Sequence, residues 1–403
     1  MSDSNRIRVS IVPQVSFAAG TPTDPAWQVL ATTGQSIRDR IGYQQSQTIN
    51  NDRNVQDLIR LSKSAGGGIP MELTWSPSAV TASSPAGEGL MQLITAAMAG
   101  SEDAEQSSIF GAPETVESSK TLSGSNYAAN VEVGDIVRVS DSTTAADNGY
   151  YRVTVVTDTL ITVAADADFA SSETVTVTRA ARIKNGTSEQ FFSIEVARLD
   201  LDIAQVFTGC AIDGMDFNIA DEAITSANFS IAGADSTFVS TPVSGGGETG
   251  NVAVFVTGAE YTDPTTSPVL DSIGVPEIRS EGAAYAAKSI QMSLLNNVSP
   301  RTQIGGLGAQ SMRFGEFGAS GRITAYMEDF SEMTQYANNT STDIWLVMID
   351  ENDKGFSMSL PQVKFGDVGA DVTGSNTDVL VDIAATAIKD PTELCTVRLQ
   401  RWD

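Results

Sequence analysis

The stretch MIDENDKGFSMSLPQVKF, residues 348–365, decides how the chain is read, because its acidic run is either a calcium loop or a turn between two strands. A calcium loop of the EF-hand type needs oxygen ligands at fixed positions and a bidentate carboxylate at its twelfth residue. Counted from Asp350, Asn352 and Gly355 fit, but the fifth position is Lys354 and the twelfth is Pro361. A ligand has become a cation and the closing carboxylate is missing. ENDKG is therefore a hairpin turn joining DIWLVMI to GFSMSL.

Outward from this hairpin, strand patterns dominate. In EQFFSIEVARLDLDIAQVFTGCAIDGMDFNIADEAITSANFSIAG, Leu199, Leu201 and Ile203 face one way while Arg198, Asp200 and Asp202 face the other. Met215, Phe217 and Ile219 likewise alternate with Asp216 and Asn218, the pattern of half-buried antiparallel strands. The order of parts also occurs twice. SIRDRIGYQ and SIQMSLLNN each open a unit, a polar Gly-rich loop leads to IPMELTW or GRITAYM, and Ser36 and Gly68 have the spacing of Ser289 and Gly321. A helix follows each time. In the first, Leu90, Leu93, Ile94, Ala97 and Met98 form an amphipathic face ended by Gly100; in the second, Asp329 caps and Phe330, Met333 and Ala337 share a face. Duplication accounts for this order, against the alternative of chance likeness between β patterns.

Residues 101–182 interrupt the first unit with short alternating runs such as VEVGDIVRVS and YYRVTVV, a small all-β module. It is either a surface decoration that meets hosts or neighbouring subunits, or an inert spacer that projects outward. The expected organisation is a discontinuous first domain at 1–100 and 183–240, the insert at 101–182, a linker at 241–251 and a second domain at 252–403. The fold class is mainly β: two tandem β-sandwich domains, each flanked by an α-helix, plus the inserted module.

With 50 acidic and 24 basic residues among 403, the formal charge of −26 repels phosphate backbones and anionic membranes. Residues 1–11 carry no secretory pattern, and IWLVMI is too short to span a bilayer. The chain has no histidine, which removes Ser-His-Asp and Cys-His nucleophiles and imidazole zinc sites. Two cysteines, Cys210 and Cys395, cannot make a disulfide framework or a four-thiolate metal site, and are expected to be buried. No catalytic residue, metal or cofactor is expected. A carboxylate hydrolase needs only two acids, but the 7% aromatic content offers no sugar platform. A secreted acidic β-sandwich adhesin or surface-layer protein would share the sandwiches and the charge, and would need an export signal.

The chain resembles the tail tube proteins of long-tailed bacteriophages in GTSEQFFSIEVARLDLDIAQVFTGCAIDGMDFNI, in YMEDFSEMTQYANN, and in DENDKGFSMSLPQVKF followed by DVTGSNTDVLVDIAA. The resemblance implies tail-tube-type β-sandwich domains, six to a ring, with rings stacked into a hollow tube that conducts DNA during ejection. Two domains per chain then imply a homotrimeric ring of pseudo-sixfold symmetry, in a virion tail assembled in the host cytoplasm, with other tail proteins at the tube ends. DNA would pass without specific binding. Asp200, Asp202, Asp216, Asp378 and Asp382 are candidates for an acidic lumen, each equally compatible with the outer surface. The long loops 44–68 and 297–320 are candidates for ring stacking through Arg53, Arg60, Lys63, Arg301 and Arg313, the alternative being solvated loop charges.

Overall fold

The structure, a computed structural model, describes residues 6–47, 54, 57–76, 88–107, 114–117, 120–165, 168–169, 173–240, 254–256, 259–280, 283–328, 330–371 and 378–403. Arg53, Asp329 and the expected linker 241–251 lie outside these residues.

The described chain is mainly β and is built twice over. The first copy comprises β1 (Ile7–Gln14), β2 (Arg38–Gln45), β3 (Leu58–Glu72), α1 (Gly89–Ala97), β4 (Phe191–Arg198), β5 (Ile203–Ala220), β6 (Ser226–Gly233) and β7 (Asp235–Val239). The second comprises β8 (Glu277–Ser280), β9 (Ala287–Leu295), β10 (Gly318–Tyr326), α2 (Ser331–Asn338), β11 (Thr342–Ile349), β12 (Gly355–Asp371), β13 (Leu380–Ala387) and β14 (Arg398–Trp402). In the first copy β4, β5 and β7 are consecutive neighbours in an outer layer with β1 beside β4, while β2, β3, β6 and β5 run side by side in an inner layer. The second copy repeats both orders, with β8, β11, β12 and β14 outside and β9, β10, β13 and β12 inside. Identical neighbour orders in both layers argue for duplication over chance.

The registers match in detail. β5 and β12 each run from the outer layer into the inner one, and each carries an extra residue against its inner neighbour, Asp213 in β5 and Gly366 in β12. Gly214 therefore corresponds to Asp367 and Phe229 to Ile383. The equal spacing noticed in the sequence is displaced, however: Ser36 lies against Gly68, whereas Ser289 pairs with Thr324, so the counterpart of Ser36 is Gln291. In β5 the passage between layers falls at Gly209, with φ +61 and with an added Cβ only 3.0 Å from Ala234 and Phe17. Glycine meets both demands.

The alternation read from the sequence builds the core. Met215, Phe217 and Ile219 point inward and are buried together with Phe229, Ile69, Ile290 and Ile323, one apolar cluster that runs through both copies. Cys210 and Cys395 are buried and free, and burial pushes the Cys210 thiol up to about 12. The hairpin that opened the reading closes at Ile349 opposite Gly355. The Asp350 carboxylate accepts the backbone N–H groups of Asn352 at 2.7 Å and Lys354 at 3.0 Å, and Asp353 takes φ +60. That acid holds its own turn.

Several expectations are corrected. Residues 199–202 are the turn between β4 and β5, with Asp202 at φ +51, so Leu199 and Leu201 do not alternate along a strand. The expected loop 44–68 is strand from Leu58 onward, as part of β3, and 297–320 contains a short hairpin, Ser299–Arg301 against Ser311–Arg313, before β10 begins. α1 is not amphipathic in its setting, because Gln92 and Thr95 are buried along with its apolar residues. Residues 254–256 and 259–262, expected in the second domain, pack on the first copy: Val254 joins Trp27 and Val206, and Glu260–Thr262 runs parallel to Ala26–Val29.

The insert folds as a seven-stranded sheet with its own core, which includes Leu122, Tyr127, Val139, Val153 and Ile161. It interrupts the first copy but docks on the second. Ile136, Tyr150 and Ala180 bury against Trp345, Val347 and Trp402. Its flanks, Glu102–Asp103 and Ala181–Lys184, extend the second copy's outer layer beyond β14, so the module proper is narrower than 101–182.

Candidate functional site

Where the two copies meet, β5 pairs with β9 along seven residues, from Gly214 opposite Leu295 to Ala220 opposite Ser289. The inner layers thereby fuse into one sheet of eight strands in the order β2, β3, β6, β5, β9, β10, β13, β12. One side of it rests on the core. The other is open and hollowed, enclosing about 700 Å³ lined by Glu72, Asp216, Asn218, Asn228, Gln291 and Arg322 among others. These are the outward members of the alternation whose inward members make the core.

Of the five acids expected to line a lumen, the structure places two on this hollow side. Asp216 is exposed opposite Asn228 and Ser293. Asp382 accepts the Thr324 hydroxyl at 2.7 Å and the Arg322 guanidinium at 2.9 Å, and these contacts hold its carboxyl below the usual range. Asp378 is exposed just ahead of β13, while Asp200 and Asp202 sit on the β4–β5 turn of the outer layer. The sequence reading also missed cations on the same side. Arg38 and Arg40 are exposed in β2, two apart as the alternation of SIRDRIGYQ already allowed, and Arg322 stands in β10. The hollow side is polar with mixed charge, and not a continuous field of carboxylates.

The described stacking candidates, Arg60, Lys63, Arg301 and Arg313, gather at one end. β2 and β3 pair out to Gln45 opposite Leu58 as an arm that exposes Tyr43, Leu58, Ile59 and Leu61 together with Arg60. Lys63, at its base, donates its backbone N–H to Leu307 at 2.7 Å, which ties the arm to the 302–310 segment. Its ammonium pairs with Asp235 and donates to the Ser236 carbonyl at 2.9 Å, so this cation is satisfied within the chain. Arg301 and Arg313 are exposed on the short hairpin beside that segment.

Both ends of the eight-stranded sheet are open. Among the described residues β2 pairs only with β3, and residues 364–371 of β12 pair only with β13. The helices differ in the same sense. Asn296 of the second copy donates its side-chain amide to the carbonyls of Ala96 and Ala97 at the end of α1, at 3.4 and 3.1 Å, where a helix end has carbonyls without partners inside the helix. α2 has no buried residue, and Phe330 before it is 66% exposed. The first copy is covered by the second; the second has an uncovered helix and a bare strand edge.

The chain is thus two sandwich units fused through an inner sheet with one hollow polar side. A sequence model described as phage tail tube protein matches residues 4–387, and the chain belongs to that family. No curated protein matches it. The family is structural, and a member is a component of the virion tail.

Proposed function

We propose that three copies of this chain close into a ring of six sandwich units, that the hollow sides of the three inner sheets line its bore, and that rings stack into the tube through which DNA leaves the virion. The observation that carries this reading is the β5–β9 junction, at which the chain makes within itself one joint of the kind that a closed ring needs, while leaving both outer edges bare. An uncovered edge is a template for another strand. The fused pair of copies repeats the joint between chains until the circle closes. The arm and the 302–310 segment, joined at Lys63, supply an apolar and basic projection for the next ring.

The hollow side suits a bore for DNA because acids and small polar residues stand among its cations, Arg38, Arg40 and Arg322, and limit the displacement of counterions from phosphate. Small polar residues such as Ser226, Ser230, Asn228 and Ser293 occupy much of it, and Arg322 is engaged by Asp382. Purified protein should sediment as trimers or longer assemblies and show hollow rings or tubes by negative-stain electron microscopy. Protein that stays monomeric across salt and concentration overturns the reading.

A further inference from the structure

The junction inside the chain is also a template for the junction between chains. By the registers above, β12 stands where β5 stands and β2 where β9 stands. Residues 367–371 correspond to 214–218, and residues 36–40 to 291–295. Resting on the ring reading, we propose that residues 367–371 of one copy pair antiparallel with residues 36–40 of a second copy, with Asp367 opposite Arg40, Gly369 opposite Arg38 and Ala370 opposite Ile37.

Charge separates the two junctions. Within the chain the rungs that face the hollow side are uncharged or singly charged: Gly214 with Leu295, Asp216 with Ser293, Asn218 with Gln291. At the bare edges the corresponding positions hold Asp367 on β12 and Arg38 and Arg40 on β2, all exposed. Neither arginine makes a salt bridge among the described residues. Asp367 meets Arg40 directly and Arg38 diagonally, both within reach on an antiparallel pair. The opposite pairings are disfavoured, since β2 on β2 sets arginine beside arginine and β12 on β12 sets Asp367 near its own copy. Only the head-to-tail joint that closes a ring is left favourable.

Two further features agree. On the core side Ile37 is buried and Ala370 half-buried, an apolar rung like Met292 with Phe217. Pairing with Asp367 would also occupy Arg40, which otherwise points at the path of the phosphates. One rung must differ, because a Cβ at Gly214 would lie 2.7 Å from the Leu294 carbonyl oxygen, and Asp367 has that Cβ. The Asp367 rung therefore sits wider between chains than its counterpart does within one.

The test is a cysteine pair, Gly369→Cys with Arg38→Cys, in the full chain, at a rung where an added Cβ on residue 369 meets nothing within 4 Å. Opposed Cα atoms on antiparallel strands lie about 4.5–5.5 Å apart, within disulfide reach, and the native Cys210 and Cys395 are buried. Mild oxidation should give covalent dimers and trimers on a non-reducing gel, whereas the equivalent pair inside the chain, Asp216→Cys with Ser293→Cys, should close without change of mass. Asp367→Arg or Arg40→Asp alone should raise the concentration needed for assembly on the order of tenfold, and the combined swap should restore it. If the wild type forms rings but the first pair fails to cross-link while the second closes, or the reversals leave assembly unchanged, the register is wrong and the ring reading stands. A wild type that never assembles removes both.

Discussion

Asp135 shows what a single side chain does in this fold. It is fully enclosed, receives Arg182 at 2.7 Å and Arg398 at 3.1 Å, and accepts the Glu132 backbone N–H at 2.8 Å. Two hydrogen bonds and the ion pair with Arg398 compensate its burial and bind the insert to both the returning first copy and the last strand. Glu173 does the same at the insert's outer loop. Its carboxylate accepts the Ser142 hydroxyl, then the Thr144 hydroxyl and backbone N–H, and these bonds bring its acid dissociation from an ordinary 4.5 down to about 2. Because the folded value is the depressed one, the stabilisation is complete above about 4.5 and is lost as pH falls toward about 2. Thermal melts of the wild type and Glu173→Gln should thus differ at neutral pH and converge near pH 2; a difference that persists in acid would exclude this cause.

At the scale of elements, the last strand decides where the insert sits. Trp402 of β14 is buried edge-on to Tyr150 of the insert, with ring centres 5.0 Å apart, and its Nε1–H donates to Ser357 at 3.1 Å. Gln400 accepts the Ile136 backbone N–H at 2.7 Å and donates to the Ile136 carbonyl at 3.0 Å, completing a strand-like pair of bonds through a side chain. Trp402→Ala should cost about 3–5 kcal/mol by the usual scale for a buried aromatic and should loosen the insert, seen as faster proteolysis within 104–180. Unchanged cleavage in the variant would show that the ion pairs around Asp135 suffice.

At the scale of the whole molecule, the two copies share one apolar cluster across the β5–β9 junction. Neither can open that junction without exposing the inward residues of both, so they should unfold together. Calorimetry is expected to show one main transition for the two copies, with the insert, which has a separate core, as the part able to melt on its own. Two transitions of similar size, each reproduced by one half expressed alone, would contradict this. The same continuity would give the proposed ring a rigid repeating unit, since the joint inside the chain cannot loosen without opening both copies.

The sequence by itself determined the class of fold, the duplicated order of elements, the existence of the insert and the hairpin at Asp350, because each is written in local alternation, turn residues and the identity of neighbouring positions. Local pattern also marked which residues of the β5 region face inward, as Met215 and Phe217 bear out. It could not tell which surface an outward residue faces. Asp200 and Asp216 have similar local settings, yet one lies on a turn of the outer layer and the other on the hollow side, a difference made by strands far apart in the chain. The exact correspondence of the copies, on which the proposed opposition of Asp367 and Arg40 rests, came only from tertiary structure, because register is fixed by hydrogen bonding between distant strands and a shift of a single residue reverses every side chain.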